Sequence, residues 1–172
     1  MDLALQQTEL LSLVKRGHTV GETADSYIRK VAQSEHLCAL RETILWWRTF
    51  DIQRCCRLTA SLLKQRGMFE DTVTSFAAQA NLSPFVEQLA DEFLQQMSGH
   101  HDPLVAAVAQ FELYVTKVQL GDTAEYTVHW PTDPWTLITS LAENQLRGPL
   151  TSQRYQMRIS RQCPGLVHIC AG

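Results

Sequence analysis

Long apolar runs are missing from this sequence, and their absence excludes the membrane-spanning classes. The longest apolar stretches are interrupted by Gln, Thr or charged residues and fall short of the roughly 20 residues that a membrane helix needs. The segment from Met1 to Lys15 contains Asp2 and Glu9 and has neither a basic start nor an unbroken apolar stretch, unlike a signal peptide. We therefore expect a cytoplasmic protein that binds no membrane.

A surplus of positive charge is also missing. The formal net charge is -3 at pH 7, whereas general binding to nucleic acid requires a dominantly basic surface that neutralises phosphates. We therefore expect no nucleic acid among the partners.

Cysteines are few, and none of them has the CxxC spacing of zinc or redox sites. We interpret them as free thiols, because unpaired cysteine usually behaves as a small apolar residue. The five cysteines are Cys38, Cys55, Cys56, Cys163 and Cys170.

Motifs of the common enzyme classes are absent as well: there is no phosphate-binding loop, dinucleotide fingerprint, nucleophile elbow or HExxH. The run His100-His101-Asp102 resembles metal ligands, but adjacent side chains diverge, so we interpret it as a loop leading into a helix. His129 and His168 fall in predicted strands, where a single histidine is usually half-buried. We expect no catalytic residue and no metal ligand in this chain.

Apolar side chains are plentiful, at 45% of 172 residues, which is enough for a genuine core. Over the first two thirds of the chain they recur with helical period. Asp51 either caps a second helix or lies inside one long helix. Trp47 lies on the same side of the predicted helix as Leu37 and Ile44, and we expect this apolar stripe in the core. The predicted helices cover Leu3 to Val14, Glu35 to Phe50 with a continuation to Gly67, Phe69 to Gln79, and the segments that start at Ser83-Pro84 and at Asp102-Pro103.

After Gly121 the pattern changes from helical to alternating, which predicts a strand around Val128. Asp133-Pro134 starts a short helix, and two further strands pair as a hairpin across Cys163-Pro164-Gly165. The fold class is therefore α+β: a mainly α-helical bundle over residues 1–121, and a small three-stranded sheet with one helix over residues 122–172. So small a sheet needs to pack on the helices.

Charge is distributed unevenly along the chain. No basic residue lies between Arg66 and Lys117, and no acidic residue follows Glu143. The tail arginines are either ordinary solvated charges or a means of attracting an acidic peptide that adds itself as a strand. They are Arg147, Arg154, Arg158 and Arg161.

Two other functions remain open at this point. A DNA-binding transcriptional regulator is suggested by arginines along the long helical stretch, although no compact helix-turn-helix signature accompanies them; these are Arg41, Arg48, Arg54 and Arg57. An enzyme that uses Cys163 or His168 is suggested only because both lie near the predicted hairpin turn.

Several segments resemble the helical partner proteins of multinuclear non-haem iron-dependent oxidative enzymes, which act in the biosynthesis of ribosomally made, modified peptides. In the tail, the matching residues resemble the partners of the methanobactin and thiaglutamate pathways. The segments are Gly67-Met68-Phe69, Ser83-Pro84-Phe85, Asp102-Pro103-Leu104, Ala109-Gln110-Phe111-Glu112, Val128-His129-Trp130-Pro131 and Tyr155-Gln156-Met157-Arg158-Ile159-Ser160.

The resemblance implies a non-catalytic subunit of a heterodimer. Its partner is a TIM-barrel enzyme whose iron ions and dioxygen oxidise a cysteine of the precursor peptide, and this chain itself holds no cofactor. Its implied work is to bind the leader of the precursor peptide, partly by strand addition to the tail. Arg154 and Arg158 then offer charge, and Trp130 or Trp135 an apolar wall. The full set of expected peptide-binding residues is Tyr126, Val128, Trp130, Trp135, Arg154, Gln156 and Arg158.

Overall fold

The computed structural model describes residues 3–16, 25–79, 85–145 and 153–171. Their architecture is α+β, as predicted: a helical bundle followed by a small antiparallel sheet near the C-terminus. In chain order the described α-helices and strands are α1 (Leu3–Arg16), α2 (Ser26–Ala32), α3 (Glu35–Cys55), α4 (Arg57–Gln65), α5 (Phe69–Ala77), α6 (Val86–Ser98), α7 (Pro103–Gln119), β1 (Tyr126–Trp130), α8 (Pro134–Ala142), β2 (Tyr155–Ile159) and β3 (Val167–Ala171). A 3-10 turn, Pro164–Leu166, connects β2 and β3.

The two Asp-Pro start signals are confirmed. The Asp102 carboxylate accepts the backbone N–H of Leu104 at 2.9 Å, and that of Asp133 accepts the N–H of Thr136 at 3.2 Å. Each side chain thereby satisfies a donor that the first turn of its helix leaves without a partner. The start predicted at Ser83-Pro84 lies outside the described residues, and α2 was not predicted.

The long helix α3 passes through Asp51 without a break and ends at Cys55, because Cys56 has a non-helical backbone (φ -112°, ψ 55°). The prediction that Trp47 lies in the core is wrong, since 53% of its surface is exposed. The buried side of α3 contains Leu37 and Ile52, and residues on that side recur about every four positions. Trp47 does not fall on that side of the helix.

One large core joins the bundle to the sheet. Helix α7 packs on α4 and α6 and also on β1 and β2, so the inward side chains of the sheet meet those of the helices in the same cluster. A second, small cluster holds α1 and α2 on the start of α3 and consists of Leu13, Ile28 and Leu37 with half-buried neighbours. Within the described residues, no helix combines the length and the apolar character needed to cross a membrane.

Candidate functional site

The tail sheet has one buried face and one exposed face. Its strands are antiparallel in the order β1-β2-β3, and Val128 opposes Met157, which opposes Ile169. The inward row of β1 and β2 is buried, as the alternating pattern predicted. The outward face carries polar side chains, namely Thr127, His129, Gln156, Arg158, His168 and Cys170.

Three of the residues expected to contact a peptide take part in the packing of the sheet. Val128 and Trp130 are buried, and the Trp130 ring meets that of Phe111 edge-on at a centroid distance of 5.9 Å. Tyr126 is half-buried and stacks on Tyr114 at 4.2 Å. A peptide on the surface does not reach the side chains of Val128 and Trp130, because the core already surrounds them.

The Tyr126 hydroxyl is held at the start of β1. It donates to the Asp122 carboxylate at 2.6 Å, and this hydrogen bond raises the pKa of Tyr126 to about 12 while lowering the pKa of Asp122. The pair ties the loop after α7 to the first strand.

The other four expected residues lie at the surface. Arg154, Gln156 and Arg158 alternate along one side of β2 and its approach, so the structure brings these three together on the exposed face. Trp135 is 51% exposed, but it lies on α8, the helix that packs on α4. The four therefore occupy two elements.

Part of the positive charge of the tail is already paired. The Arg158 guanidinium donates to both oxygens of Glu125 at 2.9 and 2.6 Å, and this contact lowers the pKa of Glu125. The Arg161 side chain donates to the Val118 carbonyl at 3.2 Å. Among the described tail residues, Arg154 and Arg161 have no ion pair, and Arg158 has one. Arg147 lies outside them.

The outer edge of β3 is open: within the described part of the chain, β3 pairs with β2 alone. Its inward residues Val167 and Ile169 contact the core but remain partly exposed, unlike the buried Met157 on β2. The apolar face of the sheet is thus incompletely covered beside β3. A further strand there gains backbone hydrogen bonds and also covers apolar surface.

Cys170 and His168 form a pair that the sequence reasoning missed. They are two residues apart on one strand and therefore share a face, and the Cys170 thiol lies 3.5 Å from His168 Nδ1. The sequence suggested an enzyme that uses Cys163 or His168. In the structure the thiol beside His168 is that of Cys170. The strand prediction and the i, i+2 spacing contained the signal for this pair.

Glu112 caps a neighbouring helix, a role that the helical pattern of the sequence did not predict. It lies half-buried between α7 and α4, where its two oxygens accept the backbone N–H groups of Leu58 at 2.7 Å and Thr59 at 2.8 Å. It therefore caps α4 from a different helix. Burial raises the pKa of this carboxyl, and the two hydrogen bonds partly offset the rise. A cleft of about 340 Å³ beside it is also lined by Arg57 and Lys64.

Two of the four arginines that suggested DNA binding are used inside the bundle. Arg41 donates from Nε to the Leu13 carbonyl at 2.9 Å, and Arg48 donates to the Ala77 carbonyl at 3.0 Å. Both carbonyls lie in the last turn of a helix, where acceptors lack intrahelical partners. Arg54 and Arg57 remain exposed.

The His100-His101-Asp102 run leads into α7, as interpreted. His100 Nδ1 accepts the Asp102 N–H at 3.1 Å, and the Asp102 carboxylate also pairs with Arg66. Burial and the neighbouring charges lower the pKa of His100. Over residues 3–16, 25–79, 85–145 and 153–171, no three His, Cys, Asp or Glu side chains come together as metal ligands do.

Comparison with family models, with curated protein sequences and with solved structures gives no match for this chain.

Proposed function

We propose that the chain is a non-catalytic partner subunit that binds the leader of a ribosomally made precursor peptide and presents its cysteine to an iron-dependent oxidative enzyme. The observation that most supports peptide binding is the open edge of β3 with partly exposed Val167 and Ile169 beside it. The oxidative chemistry and the identity of the enzyme come from the resemblance in the sequence.

The binding mode is strand addition. An extended leader pairs with the backbone of β3, and alternate side chains of the leader cover Val167 and Ile169. On the exposed face the next side chains of the leader lie beside His168 and Cys170, and Arg158 is one strand further in. Acidic leader residues on that face meet His168 first and then the Arg158 and Arg154 side chains of β2 and its approach.

The function needs no reacting group in this chain. Holding the leader makes the encounter between the peptide cysteine and the enzyme intramolecular, so modest leader contacts raise the rate through effective concentration. The iron ions and the use of dioxygen belong to the TIM-barrel enzyme of the heterodimer.

The direct test is to co-express the chain with the iron enzyme and precursor peptide encoded beside its gene. We expect co-elution of all three in size-exclusion chromatography, and loss of the peptide's mass change when this chain is left out. Full modification of the peptide without the chain contradicts the partner role.

A matched pair of variants tests the binding edge. Ile169→Lys places a charge among the inward side chains of β3, which opposes an added strand, and we expect at least about 10-fold weaker peptide capture. His129→Lys puts the same side chain on the exposed face of β1, the strand furthest from the open edge, and we expect capture within about threefold of the unchanged chain. Equal capture by both variants, with far-UV circular dichroism unchanged, excludes the β3 edge.

A further inference from the structure

Helix α3 carries large apolar side chains on its outer side as well as on its inner side. Leu37 and Ile52 are buried on the inner side. On the outer side, Trp46, Trp47 and Phe50 are 59%, 53% and 46% exposed. Three large exposed aromatics within five residues form an apolar patch of the kind that marks interaction surfaces.

The three rings hold one another in place. Trp46 stacks on Phe50 with centroids 5.9 Å apart and planes 11° from parallel, and Trp47 meets Trp46 edge-on at 4.8 Å. The rings therefore project together as one ridge. A preformed aromatic ridge loses little side-chain entropy on binding, and tryptophan is enriched among residues that dominate interface energies.

The ridge continues into a basic cleft at the C-terminal end of α3. Phe50, Gln53, Arg54 and Arg57 line a cleft of about 420 Å³. The Arg54 side chain is 61% exposed, and its guanidinium lies 3.7 Å from the Asp51 carboxylate, a weak contact. Two exposed guanidinium groups beside aromatic rings fit a partner surface that presents carboxylates next to apolar side chains.

A protein fits this surface better than a nucleic acid does. Single-stranded bases need open ring faces for stacking, but Trp46 and Phe50 already present faces to each other. The chain has a net charge of -3, and a neighbouring cleft that includes Cys55 is lined by Glu87 and Asp91, which repel phosphates.

The patch is separate from the tail. Helix α3 packs on α1, α4, α5 and α6, whereas the sheet packs on α7. A partner on the outer side of α3 therefore leaves the edge of β3 open for a peptide.

We propose that Trp46, Trp47 and Phe50, with Arg54 and Arg57, form the docking surface for the oxidative enzyme, which meets them with an apolar groove flanked by carboxylates. The choice of this partner rests on the proposed function. The assignment divides the chain into a peptide-binding sheet and an enzyme-binding helix.

The test measures two affinities separately, using the enzyme alone and the precursor peptide alone. For Trp46→Ser/Trp47→Ser we expect at least about 30-fold weaker binding to the immobilised enzyme, with peptide binding unchanged. For Arg54→Glu/Arg57→Glu we expect about 10-fold weaker enzyme binding at low salt and a smaller effect at high salt. Leu120→Ser, a change at an exposed leucine after α7, is the control and leaves enzyme binding unchanged.

Four other outcomes would contradict this docking surface. They differ in whether the proposed function stands and in which partner the patch is assigned to. Unchanged enzyme affinity in the tryptophan variant overturns the docking surface and leaves the proposed function standing. No binding of the enzyme by the unmodified chain overturns both. A dimer of this chain by light scattering that the tryptophan variant turns into a monomer, with enzyme affinity unchanged, assigns the patch to a second copy. Binding of a single-stranded oligonucleotide that the same variant abolishes assigns the patch to nucleic acid.

Discussion

The two ends of the chain are attached to the helical bundle in different ways. The C-terminal sheet contributes Val128, Trp130, Met157 and Ile159 to the same core as α4 to α8. The N-terminal helices α1 and α2 instead share a small cluster of their own built on Leu13, Ile28 and Leu37. The change of sequence pattern at Gly121 thus marks where the strands begin but does not divide the core.

This difference has consequences for function. A three-stranded sheet of five-residue strands is only marginally stable unless it packs on other elements, and here α7 supplies that support. The proposed peptide-binding edge is therefore linked to the bundle through β2, with which β3 pairs. Helices α1 and α2 bury few apolar side chains, and we expect them to unfold locally while the rest of the molecule stays folded.

The largest effect is expected from Trp130→Ala, which removes the side chain that β1 places in the core. Loss of a buried tryptophan costs about 3–5 kcal/mol, and because the core is shared, helices and sheet should unfold together at lower urea. Far-UV circular dichroism during urea unfolding measures this.

Trp135→Ala is the matched control, because Trp135 is 51% exposed on α8. We expect its effect to stay within about 1 kcal/mol. A Trp130→Ala protein in which the helices melt at the original urea concentration would show that the sheet is not part of the common core.

A smaller effect is expected from Glu112→Ala, which leaves the N–H groups of Leu58 and Thr59 without their acceptors. Buried donors without partners cost about 1–3 kcal/mol, so we expect destabilisation of about 2–3 kcal/mol at neutral pH. Glu112→Gln retains one acceptor and should be intermediate. An unchanged urea midpoint for Glu112→Ala contradicts the capping role.

The pH dependence of Glu112 has a definite sign. Its folded-state pKa is raised above the ordinary value of 4.5, so between these two values the folded protein holds a proton that the unfolded chain has lost. The part of its contribution to stability that depends on pH is full below pH 4.5 and is lost as pH rises through the raised pKa, while the hydrogen bonds to Leu58 and Thr59 contribute separately. We expect a smaller fall in stability with rising pH across this window in Glu112→Gln than in the unmodified protein.

The smallest effect is expected from Ile28→Ala, at the centre of the N-terminal cluster. Because α1 and α2 open on their own, we expect global stability to fall by about 1 kcal/mol or less. Hydrogen exchange followed by mass spectrometry should show faster exchange in α1 and α2 and unchanged exchange in α7. Equally faster exchange in α7 would place this cluster within the main cooperative unit.

Local signals predicted much of the fold. The Asp102 and Asp133 caps, the alternation in β1 and β2, and the hairpin to β3 each depend on residues close together in the chain. The capping role of Glu112 was not predictable in this way, because its partners Leu58 and Thr59 lie on another helix. The inward direction of Arg41 and Arg48 likewise depends on where α1 and α5 end.

The candidate sites likewise combine features that local sequence predicts with features that depend on distant contacts. The exposed face with Gln156 and Arg158 follows from alternation, and the wrong placement of Trp47 came from choosing one of two apolar stripes on α3. Periodicity states which residues share a face but not which face meets a neighbour.

Backbone preferences and side-chain period over a few residues were enough to predict the α+β class, most helix starts and the two faces of the strands. Three features became apparent only from the fold: the sheet and the bundle share one core, the outer edge of β3 is open among the described residues, and Trp46, Trp47 and Phe50 remain outside. These features depend on which surfaces pack against each other, and that packing is determined by contacts between residues far apart in the chain.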